Sequence, residues 1–260
     1  MSVITLTTDF GTRDWFVGTM KGVILSINPR AQIVDLSHEI SPGDIRAGAF
    51  ALMAGCAFFP KGTVHVAVVD PGVGSGRRAI AVQTANGFFV GPDNGVLSFA
   101  LRREKIKSIR QLTNEAFFLK PVGPTFHGRD LFAPVAAHLA CRLPIQKLGP
   151  PLRDFAQLPW PALRTESDSI IGEVVHVDRF GNLITNIDAA AVRGLGRAAP
   201  QVFASGKRLC RVADCYAAVP AGRAVAVAGS TGFVEIAVNR GSAAKQLRLA
   251  VGSKIMLRAA

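Results

Sequence analysis

The sequence is poor in the residues that build inorganic and covalent sites. It has four cysteines and five histidines in 260 residues. Cys56, Cys141, Cys210 and Cys215 form no Cys-x-x-Cys pair, so no metal site is expected and reduced, buried thiols are. No apolar run is long enough to span a bilayer. Met1-Ser2-Val3-Ile4-Thr5-Leu6-Thr7 has no charged leader region and reads directly as a strand, which predicts a cytoplasmic protein without a signal peptide or a membrane partner. Phosphate-loop motifs are missing as well. GxxxxGK[ST] is absent, and Gly72, Gly74 and Gly76 do not make GxGxxG. Acid is scarce: 18 Asp and Glu stand against 30 Lys and Arg, a net charge of +12. That excess raises nucleic-acid binding as a question. The bases are spread along the chain, however, with Arg102-Arg103-Glu104-Lys105-Ile106-Lys107 as the one local cluster. No aromatic-interleaved patch or DNA-binding motif appears, so no nucleic-acid partner is expected.

What is present centres on His65 to Ile80. Val64 to Val69 is apolar and largely β-branched, as in a strand buried on both faces. Pro71 stops it just after Asp70. A glycine-rich loop then leads to Arg77 and Arg78 before Ala79-Ile80-Ala81-Val82 resumes a strand. A carboxylate and a guanidinium are thereby delivered to the C-terminal edge of a sheet, where open α/β sheets bind ligands. A structural turn closed by a local Asp–Arg ion pair fits the pattern equally well.

Upstream, Val3 to Phe10 reads as a strand, Trp15 to Ile27 as a helix and Gln32 to Leu36 as a second strand. Ser37-His38-Glu39-Ile40-Ser41-Pro42 follows. Asp44 is an expected N-cap for an Ala-rich helix running to about Phe59-Pro60. The β-α-β-α-β order predicts a helix-covered, mostly parallel sheet over residues 1–150. Strands are expected at Ala79 to Thr84 and Phe88 to Val90, and a helix from about Leu131 to Ala140 with Pro134 near its first turn. Pro150, Pro151, Pro159 and Pro161 mark a linker over 151–167. Short strands are expected at 169–177, 182–187, 201–204, 208–213, 223–228, 233–238, 246–250 and 254–258, so 168–260 reads as a smaller β-barrel domain. The fold class is therefore α/β with a C-terminal β-barrel.

Four polar clusters fall at element ends: Asp9 to Asp14, Asp70 to Arg77, Thr125 to Asp130, and Asp178 to Asn182. Each alone could be capping or turn chemistry. Together they suggest a polar ligand.

In Thr8-Asp9-Phe10-Gly11, Val69-Asp70-Pro71-Gly72-Val73-Gly74 with Arg77, Thr125-Phe126-His127-Gly128-Arg129-Asp130, Asp178-Arg179-Phe180-Gly181-Asn182 and Gly229-Ser230-Thr231-Gly232, the chain closely resembles the S-adenosylmethionine (SAM) hydrolases. These are also called SAM hydroxide adenosyltransferases and are related to the SAM-dependent fluorinases and chlorinases. The resemblance runs through nearly the whole chain. It implies hydrolysis of SAM to adenosine and L-methionine, with SAM as substrate and no cofactor, by a homotrimer holding SAM between neighbouring subunits. Asp70, Arg77 and His127 match the water-activating set of the family. Asp9 would bind the ribose hydroxyls. Asp14, Asp178 and Ser230 would hold the methionine end, and Asn182 with the backbone near Asn239 and Arg240 the adenine. Tyr216, the only tyrosine, would stack on the base. The halogenases carry Tyr in place of Asp70 and Ser in place of Gly128, so the resemblance favours water as nucleophile. Gly43 departs from a bulky aromatic in relatives, and Thr231 from an Arg in the halogenases.

The chemistry suits these residues. A sulfonium is a good leaving group, so the site needs a water in line with the C5′–S bond and some activation of it. An ordinary aspartate (pKa about 3.9) cannot make free hydroxide from water (about 15.7): the gap of roughly 12 units is on the order of 16 kcal/mol. It can orient the water and take its proton as the C–O bond forms. An arginine would stabilise negative charge. A histidine could donate, accept or relay, and its protonation state stays open. Halogenase-like substitution at C5′ and a non-catalytic SAM or adenosine sensor remain as alternatives.

Overall fold

The computed structural model describes residues 2–195 and 199–259 and divides into two compact units, Met1–Pro159 and Trp160–Ala260. The first opens with β1 (Val3–Thr8), α1 (Phe16–Ile27), β2 (Gln32–Ser37), α2 (Ile45–Cys56) and β3 (Thr63–Val68). There follow β4 (Ala79–Thr84), β5 (Gly87–Pro92), α3 (Ser98–Leu101), β6 (Ile106–Gln111) and α4 (Ala133–Ala140). The strands form one sheet in the order β2-β1-β3-β5-β4-β6. β2, β1, β3 and β5 pair in parallel, and β4 runs antiparallel to both β5 and β6. The mostly parallel, helix-covered sheet is present.

Strand alternation separates the faces. Ile4, Leu6, Val64, Val66 and Val68 share a core with Met20 and Ile24 of α1 and with Val135, Ala136 and Leu139 of α4. α2 lies close enough to β3 that a Cβ on Gly48 would meet Val69 Cγ2 at 2.8 Å. Every residue of β3 is buried, as a central strand covered by helices requires. Asp44 caps α2 by accepting from Ala47 N at 2.9 Å. The helix stops at Cys56, short of Phe59-Pro60. β6 was masked in sequence by the basic cluster. It is a half-exposed edge strand, where charge discourages pairing with other chains. Residues 151–158 are bonded to the first unit: Arg78 Nη2 reaches Asp154 Oδ1 at 2.9 Å and Asp93 Oδ1 accepts from Ala156 N at 2.6 Å.

The second unit contains β7 (Arg164–Thr165), β8 (Ser169–Val177), β9 (Leu183–Asp188), α5 (Ala189–Val192), β10 (Gln201–Ala204) and β11 (Lys207–Arg211). β12 (Ala224–Ala228), β13 (Phe233–Val238), α6 (Ala243–Leu247) and β14 (Lys254–Arg258) complete it. The order is β11-β10-β14-β8-β9-β13-β12, with β7 on β8. A bridge from Val212 to Ala226, with Ala213 N donating to Ala226 O at 2.8 Å, nearly closes this antiparallel sheet into a barrel. Its interior is filled by Val174, Leu183, Val202, Val234, Ile236, Ile255 and Leu257.

Two expectations need correction. Residues 246–250 are not a strand. Ser242 Oγ accepts from Lys245 N and starts α6, which ends in a left-handed Arg248, so local capping overrides the apolar pattern. The thiols are free, but only Cys210 is buried. Cys56 is half-buried, and Cys141 and Cys215 are exposed because one ends α4 and the other lies in a loop.

Candidate active site

In the first unit, Asp70 follows β3 and its carbonyl accepts from Val73 N at 3.1 Å, closing the turn that Pro71 begins. Gly74 has a φ of 77°, and a Cβ there would lie 2.4 Å from Pro124 O. Glycine is required by both conformation and space. The loop returns Arg77 onto Asp70. Arg77 Nε donates to Asp70 Oδ1 and Oδ2, each at 3.0 Å, and Nη2 donates to Oδ2. The two side chains are 11% and 4% exposed, so the pair is shielded from water. The neighbouring Arg78 bonds Asp93 and Asp154 instead.

Nη2 of Arg77 also lies 2.7 Å from Nδ1 of His127. A guanidinium has no acceptor, so Nδ1 must hold a lone pair and Nε2 the proton. Burial pulls the imidazole pKa below its ordinary value. The Arg77 charge pulls the same way, against weaker opposition from Asp70 and Asp130. His127 is therefore the neutral, Nε2-protonated tautomer, which the sequence left open. It caps no helix with its side chain; a π-turn over Gly128–Phe132 leads into α4. Gly128 sits against Phe126, Met20 and Phe10, which a Cβ would meet at 3.1–3.3 Å.

Asp130 ends the Thr125–Asp130 motif. It is fully buried, and its carboxylate accepts from Arg129 Nε at 2.6 Å and from Gly123 N at 2.9 Å, tying the 119–123 loop to the His127 turn. Its signal was an Asp in a motif next to an Arg, which spacing alone cannot separate from a surface ion pair. Asp9 stands in the turn after β1, with Oδ2 accepting from Gly43 N at 2.8 Å. Gly43 has a φ of 75°, which suits glycine at this departure from the relatives' aromatic. Asp14 is exposed in the loop before α1. The structure thus joins Asp70, Arg77 and His127 in one hydrogen-bonded chain, with Asp9 and Asp14 in a separate turn.

The second unit holds the other six residues. Asp178 closes the turn from β8 to β9: Oδ1 accepts from Phe180 N and Asn182 N, each at 2.9 Å, and Oδ2 from Asn182 Nδ2 at 3.0 Å. Tyr216 donates to Glu235 Oε1 at 2.7 Å. Burial first, then Glu235 and Asp178, pushes the phenol up to about 12. Glu235, which sequence reasoning missed, is buried on β13. Burial raises its pKa, Asp178 adds to the rise, and the Tyr216 bond opposes it. Nothing in its strand pattern marks it except an acid among apolar neighbours. Ser230 is exposed in the turn between β12 and β13. Asn239 Nδ2 bonds Val219 O at 2.7 Å, and Arg240 is left-handed at a φ of 56°. Among the described residues no group of three or more His, Cys, Asp or Glu is placed to hold a metal ion.

Comparison with known proteins decides the family. The SAM hydroxide adenosyltransferase N-terminal domain matches residues 4–149, and the C-terminal domain of that family matches 172–256. The chain belongs to the SAM hydroxide adenosyltransferase family. It is 39% identical to a protein of Salinispora arenicola named (R)-S-adenosyl-L-methionine hydrolase, covering 98% of this chain and 97% of that one. It is 40% identical to a protein of the same name from Thermus thermophilus, with 96% of each covered. A fluorinase of Actinoplanes is more distant, 30% identical over 71% of each chain. Among solved structures, a conserved protein from Thermotoga maritima superposes with a TM-score of 0.92 at 37% identity, covering 99% of this chain and all of that one.

Proposed function

We propose that this SAM hydroxide adenosyltransferase hydrolyses S-adenosylmethionine to adenosine and L-methionine. The observation that carries the reading is its likeness, end to end and at about 40% identity, to proteins named for that hydrolysis. The hydrogen-bonded Asp70–Arg77–His127 chain at the C-terminal edge of a parallel sheet supports it, because it offers a base, a fixed positive charge and a donor within one constellation.

In this reading water attacks C5′ of SAM, the C5′–O bond forms, and the C5′–S bond breaks to leave methionine with the electron pair. One proton of the water is released. Arg77 leaves lone pairs on the Asp70 oxygens, since an ionised carboxylate has about four acceptor positions. The neutral His127 has its Nδ1 engaged by Arg77 and a proton on Nε2, so it donates to the water and does not take the proton. Asp70 takes it as the C–O bond forms and passes it to solvent. Arg77 holds the Asp70 carboxylate in place through its Nε and Nη2 bonds and balances charge on the attacking oxygen. Asp9 would bind the ribose diol. Asp14, Asp178 and Ser230 would hold the methionine end, and Asn182, Tyr216, Asn239 and Arg240 the adenine. The proposal includes a homotrimer, with substrate between neighbouring subunits, in the cytoplasm. Among the described residues no helix is long and apolar enough to cross a membrane.

Asp70→Asn separates chemistry from loop stability. The amide is nearly isosteric but has no basicity, so SAM binding should persist while hydrolysis slows by roughly 10²–10⁴-fold. Single-turnover adenosine formation on folded variant at saturating SAM measures this. The two sulfonium epimers should be supplied separately, since the relatives' name specifies (R). A rate within about threefold of the parent, under 1 kcal/mol of barrier, would remove Asp70 from the chemistry. Product that appears only with halide would favour 5′-halogenation, and binding without turnover would favour a sensor.

A further inference from the structure

The segment Ser37-His38-Glu39 has no role in the reading above, yet its histidine is 3% exposed, bonded through Nδ1 and faced at Nε2 by a carboxylate. His38 Nδ1 lies 2.8 Å from Thr8 Oγ1. His38 Nε2 approaches Asp35 Oδ1 at 3.0 Å, off the line of an ideal bond. Lys21 Nζ holds the other oxygen of Asp35 at 2.6 Å. Burial raises the Asp35 pKa, but the bonds and charges of Lys21 and His38 outweigh it and keep the carboxyl below its ordinary value. Asp35 is then an acceptor only, which favours a proton on the Nε2 it faces; with the ring's proton there, the Nδ1 lone pair accepts the Thr8 hydroxyl.

The oxygen of that hydroxyl accepts from Phe10 N at 3.2 Å. The His38 carbonyl accepts from Gly11 N at 2.8 Å, and Gly43 N donates to Asp9 Oδ2 at 2.8 Å. Residues 38–43 therefore grip the turn after β1 at three points, on both sides of Asp9 and on Asp9 itself. The Asp–His–Thr order has the residue types of a hydrolytic triad, but the Asp35–His38 approach is not a formed hydrogen bond, and Thr8 is completely buried and cannot reach a substrate. What the arrangement can do is hold a turn.

We infer that Thr8, His38 and Asp35 are positioning residues: they form a strut that fixes the Thr8–Gly11 turn and so presents the free oxygen of Asp9 to the ribose diol. The inference rests on the proposed role of Asp9. A wandering Asp9 would weaken hold on the nucleoside without touching Asp70, Arg77 or His127. The signature is a change in KM and in nucleoside affinity, with little change in kcat.

The test uses the full-length protein and three variants: Thr8→Val, which removes the hydroxyl at nearly constant volume, Thr8→Ser, which keeps it, and Asp9→Asn. Adenosine affinity is measured by calorimetry, KM and kcat with SAM, and folding by thermal midpoint. Thr8→Val should raise the adenosine Kd and the KM about tenfold with kcat within threefold, and Thr8→Ser should stay within twofold of the parent. If Asp9→Asn weakens adenosine and Thr8→Val does not, the strut is overturned and the ribose reading of Asp9 stands. If Asp9→Asn binds adenosine as the parent does, the ribose reading falls and the strut with it. A lower midpoint with unchanged Kd and KM makes Thr8 merely structural and also overturns the inference. Should Thr8→Val not fold, Asp35→Asn at the outer end of the strut replaces it; a rise of about threefold in adenosine Kd supports the strut, and no change overturns it.

Discussion

At the residue scale the decisive feature is the direction of one hydrogen bond. Arg77 can only donate, so its contact with His127 selects the tautomer and opposes protonation of the ring. This has a consequence for pH. With the His127 pKa lowered, a proton on Nδ1 displaces Arg77 only at a pH below that of an ordinary histidine. The acid limb of turnover per folded protein should lie below the ordinary histidine range. A limb centred at or above 6.5 that His127→Asn abolishes would contradict the neutral ring. The same variant tests the donor. Asparagine can offer an oxygen near the Nδ1 position to Arg77 but has nothing at Nε2. We expect kcat to fall about 10²-fold with the thermal midpoint little changed, and an unchanged kcat would remove His127 from the chemistry.

At the element scale the loop from β3 to β4 decides whether Asp70 and Arg77 meet. Its narrowest point is Gly74, which combines a positive φ with van der Waals exclusion by the Pro124 carbonyl. Gly74→Ala adds strain at both, and strained backbone alone costs about 1–3 kcal/mol. A loss of at least about 2 kcal/mol in urea unfolding is expected, with slower turnover in the folded fraction as Arg77 is displaced. A midpoint equal to the parent's would show that the loop can shift away from Pro124. Elements with weak apolar patterns are the ones the sequence does not reveal. The edge strand β6 carries Lys107 and Arg110, and α6 looks strand-like until Ser242 is recognised as its cap.

At the scale of the whole molecule, the buried face that β3 turns toward α2 carries a titratable group. His65 is 5% exposed, bonded through Nδ1 to Thr5 Oγ1 at 2.8 Å and packed on Phe59 and Phe89. Burial pushes its pKa down to about 4. The unfolded chain, with an ordinary value near 6.5, binds a proton that the native state refuses. Stability therefore falls as pH drops from about 6.5 toward 4 and is unaffected above that window. Between pH 7 and pH 5 the loss from this one group is about 2 kcal/mol. Urea unfolding of the first unit at the two pH values measures it, and His65→Leu should flatten the difference. An equal pH dependence in the variant would assign acid lability to other groups. The proposed homotrimer belongs to this scale too. Solution mass should be three times that of the chain, and a fully active monomer would reject the assembly.

The sequence by itself determined where strands begin and end when their pattern was strong. The β-branched run into β3, the Pro71 stop and the Asp44 cap are local properties of neighbouring residues, and strands at 169–177, 201–204, 233–238 and 254–258 have those bounds in the fold. Its motifs also carried the family, because five spaced segments are more specific than any one. Tertiary structure decided what depends on partners distant in the chain. Arg77 and Arg78 are adjacent and chemically identical, and neither spacing nor composition chooses between them. Only the folded loop turns one to Asp70 and His127 and the other to Asp93 and Asp154. The tautomer of His127 is set by a guanidinium 50 residues away, and Thr8 is tied to Asp9's turn by a histidine 30 residues on. A hydrogen bond needs a direction as well as a pair of residues, and direction is fixed only when the elements that carry both partners have packed.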